Sequence, residues 1–177
     1  NDFKEAIKIR DNLLKNSKQY FSPMQFSNPL NVQCHYEITA PEIYGHVITE
    51  MRPLNWSAFV HGSGTGGTMM GVKKYIDYLE LNVKCVLTTP EESAETHGIQ
   101  GINDGADFLL DKTLMDEVIQ IKTEDAIARM KRFWRETGIL IGISSGANIL
   151  ASERYLKKHD PSGIIITILC DRGERYL

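Results

Sequence analysis

At 177 residues and 42% hydrophobic, the chain carries enough apolar material for the core of one domain or a large part of one, which excludes a disordered chain. Its 20 basic and 23 acidic residues leave a net charge of -3 with no dense Lys/Arg run, which excludes tracking of a nucleic-acid backbone, and no apolar run approaches the ~18 residues of a membrane span. Cys34, Cys85 and Cys170 are widely spaced without a C-x-x-C, against a disulfide framework or a zinc knuckle, and the amphipathic, charged amino terminus is unlike a secretory signal, so a soluble protein of the reducing cytosol, without a metal, is expected.

Phe3, Ala6, Ile7, Ile9, Leu13 and Leu14 recur at loose helical spacing and predict a helix ending near Asn16 to Lys18. In YFSPMQFSNPLN the aromatic start predicts a short strand, which Pro23 and the Asn28-Pro29 step end in a loop. APEIYGHVITEM predicts a helix with Pro41 in its first turn and Arg52-Pro53 as its stop. WSAFVHGSG is an apolar strand running into a glycine loop. GTMMGVKKYIDYLEL then predicts a helix with Met69, Val72, Tyr75, Ile76 and Leu79 on one face and Lys73, Lys74 and Asp77 away from it.

VKCVLTT, short and β-branched, predicts the next strand. The polar, glycine-punctuated PEESAETHGIQGINDGADFLLDKTLMD is long enough to be a functional loop. EVIQIK predicts a strand, TEDAIARMKRFWRETG a helix opened by Thr123 and closed by Gly138, and SSGANILASERYLKKH a further helix. GIIITILC is a strand apolar enough to require cover on both faces. Strands alternating with helices place the chain in the α/β class, as a three-layer fold around a mostly parallel twisted sheet. No repeat or linker divides it.

The glycine loop, HGSGTGGTMMGV from His61 to Val72, packs five glycines into twelve residues between a strand and a helix. Such a loop presents backbone N–H groups beside the positive end of a helix dipole, which suits phosphate. A nucleoside triphosphate loop needs Lys and Ser/Thr directly after its last glycine, and here Gly67 is followed by Thr68 and Met69. Gly62, Gly64 and Gly67 formally match G-x-G-x-x-G, but the next strand ends LTTP and Glu91 comes only after Pro90, so no acid stands where ribose would need it. A tight turn without a ligand stays open. The remaining option is a single phosphate monoester, held by N–H groups and the Thr65 and Thr68 hydroxyls.

The order MQFSNPLN…H…TAPEI, GSGTGGTMMGV, GISSGAN and GERYL resembles cysteine synthase and the related cystathionine β-synthases, pyridoxal-phosphate enzymes of the tryptophan-synthase-β fold type, from about Ala6 to Leu177. The resemblance implies that the anion is the 5′-phosphate of pyridoxal phosphate, held by Gly64, Thr65, Gly66, Gly67 and Thr68. It also implies that Ser144 hydrogen-bonds the pyridine nitrogen, that Gln25 helps hold the substrate carboxylate, and that the Gly101 backbone lies against cofactor and substrate. Taken by themselves, Ser144 and Ser145 would cap a helix, Gln25 would be a solvated loop residue and Gly101 an ordinary turn. His61 reads as structural, Cys170 as buried packing, and DRGERY as a structural turn.

The family's reactive lysine sits in an N-P-x-x-S-x-K-D-R context, and none of the twelve lysines here does. The S-G-N-T-G loop for the substrate carboxylate is also absent. Both normally precede the family position at which this chain starts, so residues 1–177 are expected to be the carboxy-terminal portion of a longer enzyme, mostly its large cofactor-binding domain, without the Schiff-base lysine. Thr89-Pro90 for Glu-Pro, Asn103 for glycine, Ala40 for glycine and a short Pro90 to His97 segment depart from the family pattern near the substrate entrance. The resemblance implies β-replacement on an activated serine by a homodimer acting on a small amino-acid substrate, with O-acetylserine and sulfide the leading pair. Cystathionine formation, diaminopropionate formation, serine/threonine deamination and a non-catalytic binding module stay open.

Overall fold

A computed structural model describes residues 3–50, 55–93, 96–103 and 108–176. Runs of β-branched and apolar residues form four strands, β1 Trp56–Gly62, β2 Lys84–Pro90, β3 Glu117–Ile121 and β4 Ile164–Ile166. All neighbours pair in parallel, in the order β3-β2-β1-β4. The helices are α1 Phe3–Asn16, α2 Leu30–Cys34, α3 Ala40–Glu50, α4 Gly67–Tyr78, α5 Thr123–Thr137 and α6 Ile143–His159.

Strand alternation divides the core into two layers. Ala58, Val60, Val86, Ile119 and Ile121 pack against Ala126, Met130, Ala147 and Ala151 of α5 and α6. On the other face Trp56, Phe59, Cys85 and Leu87 pack against Val47, Met69, Val72 and Ile76 of α3 and α4. The result is the expected three-layer α/β fold around a parallel sheet. Its two central strands are buried along most of their length because helices cover both faces. Gly138 ends α5 with φ +73, its N–H returning to the Trp134 carbonyl.

Five local expectations are corrected. Residues 20–24 form no strand: the chain turns at Met24, whose carbonyl accepts the N–H groups of both Ser27 and Asn28 at 2.9 Å. Helical winding starts at Leu30 rather than Ala40, because Asn28 Oδ1 accepts the Leu30 N–H at 3.0 Å and opens the first turn. A π turn, His35–Thr39, joins α2 to α3, with the Ala40 N–H donating to the His35 carbonyl. Pro41 lies in the first turn of α3 as expected, but that turn continues winding that began at Leu30 instead of opening it. The wider turn precedes the position where regular winding would press its ring onto the Glu37 carbonyl.

β4 is the third correction. It pairs with β1 at the end of the sheet, its three isoleucines are only half-buried, and the register shifts between Trp56 and Ala58. It is an edge strand among the described residues, not one covered on both faces. Fourth, α5 takes Lys122 as its cap position. Thr123 is instead tied to the preceding loop, its Oγ1 accepting the Gly98 N–H at 2.9 Å while Glu92 accepts the Thr123 N–H at 2.7 Å. Fifth, Leu79 is only partly buried and stands outside the core cluster, whereas Tyr75 packs against that cluster on the expected face of α4. The Arg52-Pro53 stop lies outside the described residues. No helix among them is long and apolar enough to cross a membrane.

Candidate functional site

β1 delivers the glycine loop to the carboxyl edge of the sheet, where open α/β folds bind ligands. Ser63 to Gly66 turn the chain into α4, whose cap residue Gly66 has no side chain, and Thr65 Oγ1 takes only the Gly67 N–H at 3.2 Å. Its amino end therefore keeps N–H donors available for an anion. Gly66 makes the turn possible with φ +94, and a Cβ there would stand 2.4 Å from the Leu110 nitrogen. The long loop after β2 closes over this turn: Asn103 N–H donates to the Ser63 carbonyl at 2.8 Å and Leu109 N–H to the Thr65 carbonyl at 3.0 Å.

The cleft beside the loop encloses about 710 Å³ and is lined by Gly62, Gly64, Thr68, Gly101, Ser144 and Cys170, among others. Ser144 lies in the first turn of α6, 3% exposed, and its hydroxyl is 3.9 Å from where a Cβ on Gly101 would stand. Neither Ser144 nor Ser145 caps α6, whose cap position is Gly142. Ser145 accepts the Cys170 N–H at 2.9 Å, tying α6 to the segment beyond β4. Thr65, Gly66 and Gly67 shape the loop but stand outside the lining of the cleft. Their neighbour Thr68 and the opposed Ser144 face into it.

Gln25 is placed differently. Its residue is exposed and borders a smaller hollow of about 260 Å³ with Ala6 and Phe26. Its backbone carbonyl accepts Asn31 Nδ2 at 2.8 Å, and the same nitrogen donates to Thr65 Oγ1 at 3.1 Å. Asn31 thus joins the Gln25 turn to the glycine loop. Nothing in the spacing of the sequence marks Asn31 for that task.

His61 is 6% exposed, and burial, helped by His35, pushes its pKa down to about 4. The imidazole is neutral at neutral pH. Its Nδ1 accepts Asn148 Nδ2 at 3.2 Å, while Asn148 Oδ1 accepts the Gly62 N–H at 2.8 Å. His61 lines the cleft as a buried, neutral ring held by Asn148, an arrangement compatible with the structural role expected from the sequence. Cys170 departs from expectation: the residue is exposed, since β4 ends at Ile166 and the chain after it turns toward the cleft. Its Sγ lies 3.5 Å from the Ile168 carbonyl, and partial burial of the thiol raises its pKa. The DRGERY segment does form a turn. Tyr176 donates to Asp171 at 2.7 Å, and burial together with that bond pushes the phenol up to about 12.

A second cleft, of about 600 Å³, lies at the opposite end of the sheet beside Trp56 and Val83, remote from the glycine loop. No group of three or more metal-ligating side chains occurs among the described residues.

A parallel sheet that presents a glycine loop, a helix amino terminus and a buried hydroxyl to one cleft defines an α/β protein built to hold a phosphorylated cofactor. The family model described as pyridoxal-phosphate dependent enzyme matches residues 1–171, and the chain belongs to that family. The cofactor is accordingly pyridoxal phosphate. The chain is 35% identical over 174 residues to the cysteine synthase of Staphylococcus aureus, covering 93% of this chain and 54% of that protein. Among solved structures, O-acetyl serine sulfhydrylase isoform 3 from Entamoeba histolytica superposes with a TM-score of 0.86 at 36% identity, over 97% of this chain and 52% of that one. An O-acetylserine dependent cystathionine β-synthase from Helicobacter pylori gives 0.87 at 28% identity, over 97% and 57%. The chain spans about half the length of the curated relatives it matches.

Proposed function

We propose that the full-length protein catalyses pyridoxal-phosphate-dependent β-replacement on an activated serine, with O-acetylserine and sulfide giving cysteine and acetate. The observation that carries the reading is one cleft lined by Thr68, at the start of α4, by Ser144, at the start of α6, and by Gly101 beside Ser144. Gly64, Thr65, Gly66, Gly67 and Thr68 would hold the phosphate through backbone N–H groups and hydroxyls. Ser144 would meet the pyridine nitrogen. When bound, pyridoxal phosphate supplies the electron sink for loss of the β-substituent.

The work of this chain is anchoring and orientation. A neutral hydroxyl at Ser144 leaves the ring nitrogen's protonation unforced, in keeping with elimination chemistry that does not need a maximal electron sink. Gly101, at φ +88, brings backbone close to the reacting groups without a side chain in the way. Gln25 would orient the substrate carboxylate after a movement of its turn toward the loop that Asn31 already tethers. On this reading residues 1–177 are the carboxy-terminal, mostly cofactor-binding part of a cytosolic homodimeric enzyme, and the Schiff-base lysine comes from a preceding segment.

The test is the visible spectrum of the purified full-length protein before and after O-acetylserine, followed by product analysis with sulfide and with homocysteine. A visible band that responds to O-acetylserine, with acetate released and cysteine formed, supports the reading. Preferential turnover of homocysteine would move the assignment to cystathionine formation, and net ammonia release would move it to a deaminase. A colourless protein that pyridoxal phosphate cannot reconstitute would overturn it.

A further inference from the structure

Asn31, His35 and Thr39 are spaced four residues apart along α2 and the π turn, and all three are half-buried. The run packs closely on α4: a Cβ on Gly71 would stand 2.5 Å from His35 Cβ and 2.6 Å from the Val32 carbonyl oxygen. That approach brings two side chains onto the two loop threonines. Asn31 Nδ2 donates to Thr65 Oγ1 at 3.1 Å, and His35 Nε2 lies 3.1 Å from Thr68 Oγ1. His35 Nδ1 in turn lies 2.9 Å from Thr39 Oγ1.

Hydroxyl groups have one proton and two acceptor positions. Thr65 Oγ1 receives Asn31 Nδ2 and also the Gly67 N–H at 3.2 Å, so both acceptor positions are filled and its proton is left to point elsewhere. The Gln25 carbonyl, 2.8 Å from the same Asn31 nitrogen, fixes which end of the amide faces the threonine. At Thr68 the direction depends on His35. Burial lowers the His35 pKa, so near neutral pH the ring carries one proton and is one of two tautomers. With the proton on Nδ1, the ring would take the Thr68 proton and turn hydroxyl lone pairs toward the cleft that Thr68 lines. With the proton on Nε2, the ring donates to Thr68, Thr39 donates to Nδ1, and the Thr68 proton faces the cleft. A phosphate dianion stabilises the second arrangement and repels the first.

We propose that Asn31, His35 and Thr39 are positioning residues that set the polarity of the phosphate cradle: Asn31 and His35 occupy the acceptor sides of Thr65 and Thr68 so that the hydroxyl protons are left for the anion, and Thr39 satisfies His35 Nδ1 in the Nε2–H tautomer that the anion favours. The proposal rests on the assignment of the loop to the phosphate of pyridoxal phosphate.

Long-range proton–nitrogen correlation spectra of the full-length holoprotein, labelled at histidine nitrogens, read the tautomer directly. The expected result is a protonated Nε2 and an unprotonated Nδ1 on His35. In equilibrium binding, His35→Leu weakens pyridoxal phosphate roughly ten- to hundredfold, whereas His35→Gln, which keeps an amide donor for Thr68, recovers most of the affinity. Thr39→Val removes the hydroxyl that donates to Nδ1 in the Nε2–H form, weakens that arrangement and shifts the phosphorus resonance of the bound cofactor. An Nδ1–H tautomer in the wild-type holoprotein, or a His35→Gln variant no better than His35→Leu, overturns the proposal. If His35→Leu does not fold, the wild-type tautomer and the Thr39→Val spectrum decide the matter. A wild-type protein that binds no pyridoxal phosphate overturns the assignment of the loop itself, an outcome distinct from binding with the wrong tautomer.

Discussion

Asn148 Oδ1 accepts the Gly62 N–H at 2.8 Å, joining α6 to the last residue of β1 across 86 positions of the chain. The same side chain donates to His61 Nδ1 and, at 3.3 Å, to the Ile168 carbonyl. One fully buried amide thus fixes where the glycine loop starts, how His61 is turned and where the segment after β4 passes. Asn148→Ala leaves the Gly62 N–H unpaired in the core and opens a small cavity. We expect a loss of about 2–4 kcal/mol in urea unfolding, with weaker pyridoxal phosphate binding as a consequence.

His61 makes stability depend on acid. Its native pKa of about 4 lies below the ordinary 6.5, so between those values the unfolded chain binds the extra proton. Stability is full above the unfolded value and falls as pH drops toward 4, by about 3 kcal/mol at most. His61→Gln should be less stable than wild type at pH 7 but flatter on acidification. Unfolding free energies of both proteins at pH 7, 5.5 and 4.5 check this, and parallel profiles would remove His61 as the cause.

Gly66→Ala forces an L side chain into positive φ and against the Leu110 backbone nitrogen. Backbone cannot yield as a flexible side chain can. Destabilisation of about 2 kcal/mol or more is expected, together with a loss of phosphate affinity larger than that of Gly138→Ala, which has positive φ but open space around it. Thermal unfolding and cofactor titration of the two variants separate strain at the loop from strain elsewhere.

Ser144→Ala removes the hydroxyl at the start of α6 while adding no bulk. The buried position should accept the change with under about 1 kcal/mol lost, and turnover should fall roughly two- to tenfold with the cofactor still bound. An unaltered rate and spectrum would take Ser144 out of the site.

Much of this architecture can be read from local sequence. α5 announces itself through Ala126 and Met130 on one stripe and Gly138 at its end, and β1 and β2 through apolar runs that feed turns. The helix over residues 30–39 is hidden because Asn28-Pro29 carries loop chemistry and because a π turn breaks the 3.6-residue period. GIIITILC is apolar but for Thr167, yet only Ile164–Ile166 pair, and four residues further on Ser145 holds the Cys170 N–H against α6. The loop glycines and Ser144 were visible as motifs. Asn31, His35 and Asn148 fall inside the motifs that carry the resemblance, but their tasks do not show there: their partners lie 34, 33 and 86 residues away, and only the folded chain brings such pairs together.

The π turn gives the helix beside the loop a phase correction. Regular winding advances about 100° per residue, so each step of four overshoots by about 40° and two such steps would carry Thr39 far around the barrel from Asn31. An underwound turn between His35 and Thr39 takes back rotation and keeps the three side chains near one line. The direction in which the Thr68 proton points is therefore governed by backbone winding a full helical turn away. Deleting Glu37 or Ile38 from that turn would leave every hydroxyl and imidazole in the protein and still set them out of step.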